Sequence, residues 1–352
     1  MRFLFCRSAA AAERGQEKLP EHDGSQISLN TRPADIANAI NLRMEKLLPL
    51  ITPLGVVMGF FLPRVFIHLQ PYVVLIFSLI TFSGALKLRI VEFGRTIRSP
   101  LPIVLAFVSS HVLMPLLALL FSSVFFSSGT DTVTGFILLY CSPAAVSAFI
   151  WAGIYRGDNA LSLTLILMDT LLAPLVVPGT ISILIGTKIV INMTGIAVSL
   201  IFMVVVPTII GVLINESSRG KIPNLICPYL NPVAKICLFL VIAANTSPIA
   251  HQLRISDPMV WKVGALCILL AVTGFILAKT SGIAGRLSRE KQISLFFAGG
   301  LRNISAVTTI AVTYFPAAAG LPALLGIVFQ QTIAALMSKL IIKKGNNNDK
   351  DN

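Results

Sequence analysis

About ten apolar blocks, each near the roughly 20 residues a helix needs to cross a bilayer, follow one another along this chain. They run approximately Leu47–Leu62, Tyr72–Leu88, Leu101–Phe126, Val133–Ile154, Ala160–Ile185, Ile189–Ile214, Pro232–Ile249, Met259–Ala278, Ile293–Phe315 and Leu321–Ile342. In hydrocarbon every backbone N–H and C=O must find its partner within the chain, so a series of such blocks folds as packed helices. Charged residues make up 12% of the chain, against about 25% in an average soluble domain, and the mean hydropathy is +0.84. The sequence therefore predicts an all-α integral membrane protein with about ten transmembrane helices and the lipid bilayer as its solvent.

The net charge of +13 would suggest nucleic acid in a soluble protein, but its placement argues against such a partner. The basic residues alternate between dense and sparse loops, as orientation signals do. Lys87, Arg89, Arg95 and Arg98 lie between blocks two and three, Arg156 between four and five, and Arg219 and Lys221 between six and seven. Lys279, Arg286, Arg289 and Lys291 lie between eight and nine, and Lys343 and Lys344 follow ten. The other loops hold Arg64, Lys188 and Arg254, and none near Asp131 or in PAAAGLP. This alternation predicts both termini on the cytoplasmic side of the plasma membrane. Residues 1–43 read as a disordered extension, with mixed charge and no long apolar core of a signal peptide, and residues 345–352 as a disordered tail. The five cysteines (Cys6, Cys141, Cys227, Cys237, Cys267) are scattered, mostly in apolar blocks, with no metal-ligand spacing. No cofactor is implied. HExxH, GxSxG and P-loop motifs are absent, as are paired catalytic carboxylates, which argues against an enzyme or an ATP-driven pump.

The blocks divide into two sets of five, residues 44–188 and 189–344. Block five contains MDTLLAPL and block ten QQTIAALM, so that Asp169-Thr170 falls on Gln331-Thr332. Block four contains CSPAAVSAF and block nine AGGLRNISAV, an interrupted helix at the same place in each half. Five spans per half require opposite topology, so the reading is two inverted repeats with broken helices four and nine. Such paired interruptions point to a transporter's binding site.

The break in block nine carries the costliest residue. Arg302 follows Gly299 and Gly300 near the middle of Phe296–Pro316, and a guanidinium at mid-membrane costs from about 2.5 to more than 10 kcal/mol. It normally faces a partner or a wet cavity. At ~1.5 Å per residue Arg302 and Asp169 both lie roughly 15 Å deep. Either they pair as a structural lock, or Asp169 titrates while Arg302 holds an anion. His111, in SSHVLMP, is the other titratable group at depth, and a lone histidine on an apolar helix more often serves as a hydrogen-bonded packing residue than in proton transfer. Pro143 removes a helix hydrogen bond in mid-span. Ser142 and Ser147 flank that break and Ser162 follows in block five, with Asn245, Asn303, Gln330 and Gln331 as uncharged groups that line a polar route or join helices.

These features together resemble the bile acid:sodium symporter family, in its bacterial branch, over roughly Glu45 to Lys344. The resemblance is carried by FSGALKLRIVEFGRTIRSP, HVLMPLLALL, SPAAVSAFIWAGIYRGDNALSLTLILMDTLLAPLVVP, GLRNISAVTTIAVTYFP and LGIVFQQTIAA. It implies ten helices in two inverted repeats, a panel and a core domain, and broken helices four and nine crossing at mid-membrane. It also implies a small organic anion moved by alternating access. Ser-Asn of sodium-coupled members falls on Ala148 and Phe149, their block-five hydroxyls on Ser162 and Ile166, and their Glu on Ala298. The Gln of their second site falls on Ser110 and on Arg302. One surviving hydroxyl is too few for a hard cation, which needs several oxygens. The expectation is that the Arg302 guanidinium stands in for a sodium ion and that a proton on Asp169 or His111 supplies any coupling. Two other readings are an arsenite exporter, favoured by Trp151, Gly157 and Asp158 but not by Ala144 after Pro143, and a receptor built on a transporter scaffold.

Overall fold

In a computed structural model of the protein, the structure describes residues 53–88, 100–127, 130–185, 192–252 and 256–342, with single positions at 37, 41, 44, 50 and 51. These residues are helical almost throughout. Helix α1 covers 53–61 and is followed by α2 (Pro63–Ala85) and α3 (Leu101–Phe125). Next come α4 (Asp131–Cys141), α5 (Ser147–Ile154), α6 (Asn159–Ile185), α7 (Met193–Ser218) and α8 (Lys221–Ala250). The chain continues through α9 (Pro258–Ala284), α10 (Arg289–Gly300), α11 (Ile304–Tyr314) and α12 (Ala317–Ile341). Seven of the described helices (α2, α3, α6, α7, α8, α9 and α12) are long and apolar enough to cross a membrane. Blocks four and nine are each split in two, as α4 with α5 and α10 with α11. Large side chains such as Leu75, Val124, Leu175 and Ile183 stand exposed on the outer faces, as a lipid solvent permits.

The helices pack in two groups. Helix α2 lies against α7 and α8, while α9 packs on α3, α10 and α12, and α4 on α3, α6 and α12. The groups meet where α6 runs against the start of α7 and where α11 reaches α8. The described basic loops gather at one end. There Asn215 Nδ2 donates to the Leu88 carbonyl, the Asp158 N–H to the Glu290 carbonyl, and Lys279 Nζ to the Ile341 carbonyl.

Residues 1–36 and 343–352, and with them most of the expected disordered extension and all of the tail, lie outside the described residues, as do Arg89, Arg95, Arg98, Lys188 and Arg254. Positions 37 and 41 are helical, ahead of the boundary at 43, and Asn41 accepts hydrogen bonds from Lys235 on α8 through both its carbonyl and its side chain.

Candidate functional site

The two broken helices meet break to break. Ser142 precedes a proline, whose ring pushes the preceding residue out of the helical region; its φ and ψ are −66° and 153°. Its carbonyl is thereby turned out of α4. Leu301, at the end of α10, is likewise extended, with φ −108° and ψ 110°. The two unwound stretches lie antiparallel and bond as a short bridge centred on Ala144 and Arg302. The Ala145 N–H donates to the Leu301 carbonyl at 2.9 Å and the Asn303 N–H to the Pro143 carbonyl at 2.8 Å. Asn303 then caps α11, its side chain accepting from the Ala306 N–H.

The break in helix nine falls at Leu301–Asn303, one residue past the glycine pair named from the sequence. Gly299 and Gly300 are still helical and have no positive φ. Their smallness serves contact instead: a Cβ on Gly300 would sit 2.1 Å from the Phe275 ring, and one on Gly299 2.4 Å from Ala278 Cβ.

Each bridge residue is held by a side chain from the span that follows. The Ala144 N–H donates to Asp169 Oδ2 at 2.7 Å. The Arg302 N–H donates to Gln330 Oε1 at 3.0 Å, and Gln330 Nε2 donates back to the Arg302 carbonyl at 3.0 Å. Gln330, rather than Gln331, thus plays for helix nine the part that Asp169 plays for helix four. Gln331 accepts instead from the Trp151 indole at 3.0 Å.

The Arg302 side chain is 2% exposed. Nη1 donates to the Ser142 carbonyl at 3.1 Å and Nη2 to the Ser110 carbonyl at 3.3 Å, while Nε has no partner. The guanidinium therefore sits among freed carbonyl oxygens, the environment that a bare monovalent cation seeks. Among the described residues no ion pair joins it to Asp169; the two charges act through space. The hollow expected beside Arg302 is, in this conformation, a cavity of about 20 Å³ lined by Tyr140, Cys267, Gly300, Arg302 and Gln330 among others. It has room for a water molecule and none for an organic acid.

Asp169 pairs with His111, Nε2 of the ring against Oδ1 of the carboxylate. His111 stands in a π turn, Val108–Leu113, within α3, a local widening that often marks a functional position and that also turns the Ser110 carbonyl toward Arg302. Its Nδ1 is buried without a partner.

The other residues named from the sequence scatter. Ser142 Oγ and Ser162 Oγ bond their own helices, to the Leu139 and Asp158 carbonyls. Ser147 opens α5, half-buried. Asn245 is buried away from the bridge, donating to Thr309 Oγ1 on α11 at 2.9 Å and accepting from Gln70. Ala148 and Ile166, where the resemblance puts sodium ligands, share one apolar cluster, and Ala298 belongs to another. These side chains do not fit a sodium ion. Sequence reasoning missed Tyr314, whose hydroxyl meets Ser199 Oγ at 2.6 Å and donates to the Gly195 carbonyl at 2.8 Å. It also passed over Lys235, a cation inside α8 that a count of loop charges cannot register.

A family model described as the sodium bile acid symporter family matches residues 73–254. The uncharacterized protein YbaS of Bacillus subtilis (strain 168) is 35% identical, over 84% of this chain and 96% of its own length. The uncharacterized sodium-dependent transporter YocS of the same organism is 22% identical over 82% of this chain and 88% of its own. The human ileal sodium/bile acid cotransporter is 26% identical over 70% of each.

Proposed function

Since the chain belongs to the sodium bile acid symporter family, we propose that this transporter carries a small organic anion by alternating access, with the Arg302 guanidinium in place of a coupling sodium ion. The observation that carries the reading is the pair of hydrogen bonds from Nη1 and Nη2 to the Ser142 and Ser110 carbonyls. A fixed cation there supplies the positive charge that an anion needs at mid-membrane, and it cannot leave with the substrate. Coupling then falls to a proton on the Asp169–His111 pair. Residues 44–188 and 189–344 are two repeats of opposite topology in this reading, which the matched breaks and their matched side-chain partners support. The basic loops lie on the cytoplasmic side of the plasma membrane.

Two alternatives have less behind them. A metalloid exporter needs a thiol at the break, and Cys141 Sγ is buried and bonded to the Leu138 carbonyl. A receptor on a transporter scaffold has no need of two charges at the crossing.

Uptake of labelled taurocholate and pyruvate into proteoliposomes tests the proposal. Counterflow exchange is expected for at least one of them, with no acceleration by an inward sodium gradient at fixed pH. Arg302→Gln is expected to weaken anion binding about tenfold or more, the loss of one charge-assisted interaction. Sodium-driven uptake, or full binding by the variant, defeats the reading. A reporter fused after Asn352 checks the sidedness.

A further inference from the structure

The charges at the crossing can be counted. Among the described residues the ionisable groups around the bridge are Arg302, Asp169 on α6, His111 on α3, Tyr140 and Cys141 on α4, and Cys267 on α9. The last three keep their protons, since each donates a hydrogen bond: Tyr140 to the Cys267 carbonyl, Cys141 to the Leu138 carbonyl and Cys267 to the Pro322 carbonyl. Both Asp169 oxygens are engaged, Oδ2 by the Ala144 N–H and Oδ1 by His111. With Asp169 as the ionised acceptor and His111 as the neutral ring, the hydrogen of their contact lies on Nε2 and a lone pair on Nδ1. In that assignment the crossing by itself is neutral, Arg302 against Asp169. An arriving monoanion would leave it at −1, a charge that costs several kcal/mol in the membrane interior. A proton on Nδ1 restores neutrality.

We propose that His111 Nδ1 carries the coupling proton, one for each monovalent organic anion, so that the transport cycle is electroneutral and the preferred substrates are monocarboxylates or monosulfonates rather than dianions. This rests on the anion-carrier reading above and assigns its coupling site. Asp169 keeps its own role, fixing the tautomer of His111 and holding the helix-four break through Ala144. Because Nδ1 lacks a partner in this closed arrangement, it exchanges its proton only when a conformational change brings water or substrate to it. That gating is what ties proton movement to anion movement.

Proteoliposomes of the full chain, with labelled pyruvate and taurocholate as probes and an entrapped pH-sensitive dye, test it. Wild-type protein is expected to accumulate a probe about tenfold for each pH unit by which the outside is more acid than the inside. One proton should enter per anion, and an imposed membrane potential should have no effect. In His111→Gln the ratio of uptake with the gradient to uptake without it falls to one. A potential-driven accumulation, a proton count other than one, or a gradient response that survives in the variant overturns the inference. Should the variant fail to fold, the proton count and the potential response of the wild type still decide. Counterflow exchange without any gradient separates the two levels. Exchange present with no gradient response defeats this inference alone, whereas exchange absent for both probes defeats the carrier reading and this one with it.

Discussion

Gln330 offers both ends of its amide to the backbone of a single residue, Arg302. Nothing else in the described structure holds that unwound residue's N–H and carbonyl together, apart from the carbonyl's bond to the Ile304 N–H. Gln330→Leu strands a buried N–H, and a buried unsatisfied group costs about 1–3 kcal/mol. The variant is expected to melt several degrees lower in detergent. Gln330→Glu can still accept from the N–H and should recover part of the loss; equal melting of wild type and leucine variant would remove this role. From sequence, Arg302, Asp169 and His111 were legible because ionisable groups inside apolar blocks are rare and costly. The choice between Gln330 and Gln331 was not. Adjacent helical residues point about 100° apart, and only the packing of α12 decides which one faces the break.

At the scale of elements, the interruption of helix four was written in Pro143, which both stops α4 and sets the extended backbone of Ser142. Helix nine breaks without a proline. Its glycines suggested a point of weakness, but they are where α10 presses on α9, and the break follows them. Gly300→Ala tests the distinction. If the glycine served only to loosen the helix, alanine would be well tolerated. Since the added methyl meets the wholly buried Phe275 ring, the expected outcome is overpacking by about 1–3 kcal/mol, read as a lower melting temperature and slower transport. Phe275→Leu in the same chain should restore part of both; an unaffected single variant would show the close contact to be dispensable. The π turn around His111 had no counterpart in the sequence, where SSHVLMP reads as ordinary helix.

Over the whole molecule, a division into two domains was implied by the family resemblance alone, because spans that are apolar on every side do not reveal which neighbour they choose. Among the described residues, polar side chains on one half-helix, α11, join the groups. On α11, Thr309 takes a hydrogen bond from Asn245 of α8, and Tyr314 bonds Gly195 and Ser199 of α7. The matching half-helix α5 packs on α6 and α10; Val146 just ahead of it is 36% exposed, and its Ile150 and Ile154 are 56% and 43% exposed. In the proposed alternating-access cycle, contacts present around one half-helix open as those around the other form. Neutral hydrogen bonds contribute about 0.5–1.5 kcal/mol each, weak enough to exchange during a cycle and strong enough in a set of three to bias it. Cysteines at Asn245 and Thr309, in a chain freed of its native thiols, therefore provide a reversible lock. A short bifunctional thiol reagent is expected to stop uptake and counterflow together, and a reductant to restore both to the level before cross-linking. Transport that continues through the cross-link would mean that α8 and α11 stay together throughout the cycle, and the motion would have to be sought between other helices.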